Sequence, residues 1–250
     1  SELAKIGIIL FLAAYISSKS REMRQWKKMV IPFLFAIPVI GIVGIENLST
    51  CIILLAISFI MIFVATPLLV PFVVIGLIGV AGAGGLLLTQ GYRMERITVW
   101  LDPAASEKGH QTIQGLYAIG SGGLFGKGLG QSMQKLGFLP EANNDMIFSV
   151  ICEELGLFGA LCVLALFFAL IWRFMVIAVN APDLYGSMIV VGVIAHIGIQ
   201  VFINIAVATN TIPNTGIPLP FISYGGSSLV FMLLEMGLVL SVSRYINVKK

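Results

Sequence analysis

The sequence predicts an all-α fold, a polytopic transmembrane helical bundle, and three observations carry that prediction. Of its residues 58% are hydrophobic and 11% charged, where average soluble domains carry about 25% charged residues. The mean hydropathy is +1.00, more apolar surface than a soluble domain of this length could bury. The apolar residues also fall into runs near the roughly 20 residues that a membrane crossing needs.

Six runs read as spans and a seventh reads as partial. The partial one covers 3–16 and is interrupted by Lys5. The others cover about 29–44, 48–65, 68–88, 147–172, 184–208 and 222–242. The breaks between them are chemically sensible. Glu46-Asn47 interrupts one run and Thr66-Pro67 another, while Ala181-Pro182-Asp183 reads as a helix stop followed by a new start. The whole chain, 1–250, is expected to form a single membrane domain. Cys51, Cys152 and Cys162 lie in or beside apolar runs, with neither CxxC nor Cys/His metal spacing, which argues against a disulfide framework or a zinc site. No Met and no signal peptide precede the apolar pattern at Ser1, so further spans are expected upstream.

Charge sets the expected orientation. The loop 17–28 holds Lys19, Arg21, Arg24, Lys27 and Lys28 against Glu22 alone, and the C-terminal tail holds Arg244, Lys249 and Lys250 with no acid. The positive-inside rule assigns both to the cytoplasm. The even number of spans between them makes the two assignments agree. The long loop 89–146 then faces outward, as does the loop near 209–221. Loops as long as 89–146 are usually functional or disordered. This one carries Trp100, Leu116, Tyr117, Leu124, Phe125 and Phe138 and is expected to fold back over the bundle.

Within that loop, the stretch from Gln114 to Gly130 is rich in glycine. Gly126-Lys127-Gly128 does not complete a P-loop, GxGxxG fails, and no parallel sheet is available. Two readings stay open: tight turns at a membrane surface, or backbone approaching a pyrophosphate. Next comes the run from Leu139 to Phe148, with Glu141, Asn144 and Asp145 at the entry to a span. Asn144 or Asp145 can be read as a helix N-cap. Alternatively, Asp145 is a carboxylate at a membrane boundary whose surroundings raise its pKa and suit it to general-base work. Glu153 and Glu154 begin the span on different faces, and one could face the interior and pair with a base. His196, Gln200 and Asn204 recur at four-residue spacing and read chiefly as interhelical hydrogen-bonding groups. For Gly225, Gly226, Ser227 and Ser228 the default reading is close helix packing.

The run from Asn214 to Ser228, with Pro218, Pro220, Ser223, Gly225, Gly226 and Ser227, resembles the signature of the SEDS family (shape, elongation, division and sporulation). Three further segments look like the same family. They are Ser1-Glu2-Leu3-Ala4-Lys5, the segment from Gly91-Tyr92-Arg93 to Asp102-Pro103, and the run from Gln134-Lys135 through Pro140-Glu141 and Asp145 to Glu153-Glu154-Leu155-Gly156. Gly91-Tyr92-Arg93 together with Asn144-Asp145 looks closest to the FtsW/SpoVE branch. Two places depart from the family pattern. Ile45-Glu46-Asn47-Leu48-Ser49-Thr50 stands where a Gln-Pro-Asp-Leu-Gly-Thr run is usual, and Met146 replaces a usual Phe.

The resemblance implies a ten-span fold of which this sequence matches the last seven. It implies a peptidoglycan glycosyltransferase in the bacterial cytoplasmic membrane, polymerising lipid II in cell division, elongation or sporulation and releasing undecaprenyl pyrophosphate. A class B penicillin-binding protein is the implied partner, the bilayer is the solvent, and no nucleic acid is expected. Asp145 matches the family's proposed catalytic carboxylate, and a divalent cation, Mg or Mn, is implied with Asp145 as its ligand. Lys5, Arg93, Glu141 and Lys135 match substrate-binding positions, while Ser223, Gly225, Gly226 and Ser227 form the structural motif. A flippase and a non-catalytic scaffold are the alternative classes. These 250 residues alone are expected to be inactive.

Overall fold

The computed structural model describes residues 2–20, 25–66, 91–106 and 109–246, the side chains of 26–28 and 91–95 excepted. The expected span at 68–88 and the Arg93 side chain lie outside the described residues. Every regular element among the described residues is helical. They are α1 (Glu2–Ser18), α2 (Trp26–Glu46), α3 (Leu48–Ala65), α4 (Gly91–Leu101), α5 (His110–Gly122), α6 (Ile147–Val179), α7 (Leu184–Ala208) and α8 (Gly226–Arg244), with short 3-10 turns at Pro103–Ala105 and Gln134–Leu136. Helices are what a lipid solvent demands, because the backbone groups of each segment must pair internally. Five of these helices, in α2, α3, α6, α7 and α8, are long and apolar enough to cross a membrane. The fold is that of a polytopic helical membrane protein.

The described chain divides into two compact units. One comprises α1, α2, α3, the end of α6, most of α7, and α8. The other comprises α4, α5, the first part of α6, the last turns of α7 and the segment up to residue 225.

In the first unit α1 packs on α2, α3 and α8, and α2 packs on α3. The contact faces follow helical spacing. Ile9, Leu12 and Ile16 of α1 are buried, as are Ile53, Leu54, Ile57, Met61 and Ile62 of α3. A Cβ on Gly192 of α7 would lie 2.6 Å from Ile9 Cγ2, so glycine sets the α7–α1 approach. Pro32 and Pro38 sit inside α2, which membrane helices tolerate. The break after α2 falls at Asn47, whose side chain accepts from the Thr50 N–H at 3.0 Å and caps α3. The altered 45–50 segment therefore still ends one helix and starts the next.

The second unit is organised by a break in α6. Gly156 has φ 67 and ψ −169, non-helical values inside an otherwise continuous helix. An intact helix would pair Leu157 N–H with Glu153 C=O, and Phe158 N–H with Glu154 C=O. Instead Leu157 N–H donates to Gly123 O at 2.9 Å and Phe158 N–H to Leu124 O at 3.0 Å. The freed carbonyls of Glu153 and Glu154 accept from Lys127 N–H and Gly128 N–H, each at 2.9 Å. Residues 123–128 are thus spliced into the helix and satisfy all four opened groups. The splice needs glycine. A Cβ on Gly122 would stand 1.9 Å from Cys152 O, and one on Gly126 2.2 Å from Glu154 O. At these positions the glycine-rich run serves backbone-to-backbone approach within the protein.

The splice also accounts for the length of α6. Its 33 residues span about 50 Å at 1.5 Å per residue, well beyond a hydrocarbon core of about 30 Å. The stretch from 157 to 179 is about 35 Å by itself, enough to cross. The acids Glu153 and Glu154 precede that stretch.

Candidate functional site

Asp145 stands two residues before α6 and is 7% exposed. Its carboxylate accepts from Gln111 Nε2 of α5, at 3.2 Å to Oδ1 and 3.4 Å to Oδ2. Among the described residues its side chain takes this partner and not the first-turn amides of α6, so Asp145 does not act as the N-cap of that helix. Burial pushes the Asp145 carboxyl above its ordinary value of 3.8. Its own backbone N–H pulls the other way, the charge of Glu141 adds to the rise, and the side-chain amides of Gln111 and Asn214 oppose it. The result is a carboxylate that holds a proton more readily than an exposed aspartate.

Two loops meet at this residue. Asn204, fully buried on α7, donates to Asp145 O at 2.7 Å and to Ile217 O at 2.9 Å. One turn earlier, Gln200 donates to Pro218 O at 3.0 Å. Ser223 Oγ donates to Asn144 O at 2.6 Å and accepts from Leu219 N–H at 2.7 Å. Tyr224 N–H donates to Asn143 O at 2.8 Å. Glu141 and Phe221 both have positive φ, 52 and 63, which costs non-glycine residues energy and persists only where surroundings enforce it. Both strained residues lie in the loops that these bonds tie together.

The polar stripe on α7 therefore does more than bridge helices. His196 does pair between helices, with its Nδ1 2.9 Å from both carboxylate oxygens of Glu235 on α8, both residues buried. Gln200 and Asn204 instead hold loop backbone, and Asn204 holds the backbone of Asp145 itself. Gln111, Asn204 and Asn214 were missed as site residues. Asn204 carried a signal in its four-residue spacing from Gln200, and Asn214 opens the run that resembles the family signature. Nothing local marks Gln111.

The remaining predicted residues are placed as follows. Glu141 is exposed and accepts from Asn144 Nδ2. Lys135 Nζ is 2.5 Å from Glu154 Oε1, so its charge is already held. Glu153 is fully buried and pairs with Lys127 at 2.7 Å, and it also accepts from Ser132 Oγ and the N–H groups of Met133 and Gln134. Lys5, in the other unit, is 2% exposed and lies 2.7 Å from Glu2 of its own helix. Arg93 is placed on α4 by backbone only. Ser223 is the member of its motif with the clearest role. Gly226 opens α8, and among the described residues a Cβ there would meet nothing within 4 Å. Ser227 is exposed. Cys152 is buried and Cys162 exposed, and neither forms a disulfide among the described residues. Among the described residues no group of three or more His, Cys, Asp or Glu side chains could hold a metal ion. The donor set at the site is the one carboxylate of Asp145, already engaged by Gln111.

The family model described as "Cell cycle protein", for FtsW, RodA and SpoVE, matches residues 1–248. The chain belongs to the FtsW/RodA/SpoVE family. Within this family it is 47% identical over 251 residues to the stage V sporulation protein E of Bacillus subtilis, covering 98% of this chain and 68% of that protein. It is 36% identical over 247 residues to a probable peptidoglycan glycosyltransferase FtsW of a Geobacter species, covering 97% and 67%. A solved peptidoglycan synthase complex, described as coordinating polymerization and crosslinking, superposes with a TM-score of 0.78 at 28% identity, covering 99% of this chain and 70% of that one. The rod shape determining protein RodA of Thermus thermophilus superposes with a TM-score of 0.66 at 29% identity, covering 98% and 65%. The chain spans about two thirds of the length of the family members it matches.

Proposed function

We propose that this family member is the catalytic part of a peptidoglycan glycosyltransferase that polymerises lipid II, with Asp145 as general base. The observation that carries the reading is the buried Asp145 carboxylate, held by Gln111 at the mouth of a membrane span. An acceptor sugar hydroxyl attacks the anomeric carbon of a lipid-pyrophosphate donor. The new C–O bond forms as the bond to the pyrophosphate oxygen breaks, with inversion at carbon. The hydroxyl proton passes to Asp145, and undecaprenyl pyrophosphate leaves. A placed base of this kind contributes about 10²–10⁴-fold. A raised pKa suits it, because the carboxylate is then a better proton acceptor than an exposed aspartate.

Lys5, Arg93, Lys135 and Glu141 are proposed as substrate-binding groups, the basic ones as counter-charges for pyrophosphate. A Mg or Mn ion at Asp145 would draw its other ligands from substrate phosphate and water, and no step above is routed through it. The loop 89–146 is proposed to face the outside of the cytoplasmic membrane, with loop 17–28 and the C-terminus inside. A class B penicillin-binding protein is the proposed partner, given the synthase complex to which the fold is similar.

The test is lipid II polymerisation by the full-length protein with its penicillin-binding partner. Asp145→Ala and Asp145→Asn should each lower the rate by at least about 10²-fold. Polymerisation at the wild-type rate by either would overturn the assignment. Translocation of labelled lipid II without polymerisation would indicate a transporter, and complex formation without any glycan synthesis a scaffold.

A further inference from the structure

The Asp145 carboxylate is aimed by a chain of amides that begins at a backbone N–H. Gly216 N–H donates to Asn214 Oδ1 at 3.0 Å. A backbone N–H can only donate, so the oxygen of the Asn214 amide must face it. That turns Asn214 Nδ2 toward Gln111, where it donates to Oε1 at 3.1 Å. With its oxygen so occupied, Gln111 presents its NH₂ group to Asp145, bridging Oδ1 and Oδ2 at 3.2 and 3.4 Å. Amide orientations are often ambiguous, but here each is dictated by the one before it. The far end is anchored as well. Arg96 donates to Asn214 O at 3.0 Å, and Trp100 Nε1 donates to Asn210 O at 2.9 Å, both from α4.

We propose that Gln111 is a positioning residue for the transfer reaction, locked by Asn214 so that its NH₂ group orients the Asp145 carboxylate; this rests on Asp145 being the base. Either flipped amide would turn an oxygen toward the carboxylate and repel it. Among the described residues the charge of Glu141 also acts on Asp145, and its effect opposes that of the Gln111 amide.

The test measures kcat and KM of lipid II polymerisation for the full-length wild type, Gln111→Met and Asn214→Leu, each with its penicillin-binding partner. Methionine keeps the length of glutamine and removes both polar groups. Leucine at 214 adds no charge and cannot donate to Gln111 Oε1, so the Gln111 amide is free to flip. Both variants should lower kcat roughly tenfold with KM within about twofold, the split expected when a group that acts in the transfer step loses its orientation. A folded Gln111→Met protein with wild-type kcat would overturn the proposal. So would a fall in kcat matched by a rise in KM, which is what a merely structural role produces. If Gln111→Met does not fold, Asn214→Leu decides by the same criteria. The two readings separate cleanly. Wild-type activity in Asp145→Asn sinks the base itself. Inactive Asp145 variants beside wild-type kcat in Gln111→Met sink only the amide chain.

Discussion

Two glycines of one run should respond to alanine with opposite sign. Gly120 lies inside α5, is exposed, and among the described residues a Cβ there would meet nothing within 4 Å. Alanine should stabilise it by roughly 0.5–1 kcal/mol, the usual gain over glycine in a helix interior. Gly126 has φ 76, and its Cβ would stand 2.2 Å from Glu154 O and 2.6 Å from Gly156 N. The left-handed conformation alone costs alanine about 1–2 kcal/mol. The clash is with backbone, which no rotamer relieves, so the splice between 123–128 and 153–158 must open. The splice residues 123–128 are largely exposed, so each of its four backbone bonds is worth about 0.5–1.5 kcal/mol net. Losing all four brings the total to about 3–8 kcal/mol, a large share of a stability of about 5–15 kcal/mol. The assay is thermal unfolding of the full-length protein in detergent, followed by tryptophan fluorescence. At about 2–4 °C per kcal/mol for chains of 150–250 residues, Gly120→Ala should gain about 1–4 °C, and Gly126→Ala should lose at least about 6 °C or fail to fold. Equal melting temperatures for the two variants would refute the splice as a glycine-dependent element.

Other outcomes follow from the same geometry. Because the folded-state pKa of Asp145 lies above 3.8, activity and stability should move oppositely with pH. Rate should fall as pH drops through that raised value, while the cost of the buried charge is relieved over the same interval down to about 3.8; a rate–pH profile beside a melting–pH profile checks both. Glu153→Ala removes the acceptor for Lys127, Ser132 and two backbone N–H groups. It should cost about 3–5 kcal/mol in a thermal melt, whereas Glu153→Gln, which keeps an acceptor oxygen, should cost less. Glu235→Leu strands buried His196 and should destabilise, and adding His196→Phe should recover much of the loss; a double-mutant cycle of melting temperatures measures the coupling.

The sequence by itself determined the solvent of this protein and hence its class. Apolar runs of span length leave the backbone no alternative to helices, and the breaks at Asn47 and at 181–183 are written in local chemistry that acts over three or four residues. Spacing also placed Asp145 at a span entry and put Gln200 and Asn204 on one helix face. Spacing could not choose between cap and base for Asp145, or between turn and ligand loop for the glycine run. Those choices depend on which distant group satisfies a buried one. Gln111 lies 34 residues before Asp145, Asn204 lies 59 after it, and Asn214 lies 103 from Gln111. Only the tertiary structure brings them together, and only there does the glycine run become the segment that closes a broken helix. A carboxylate removed from water must find its donors wherever the fold delivers them.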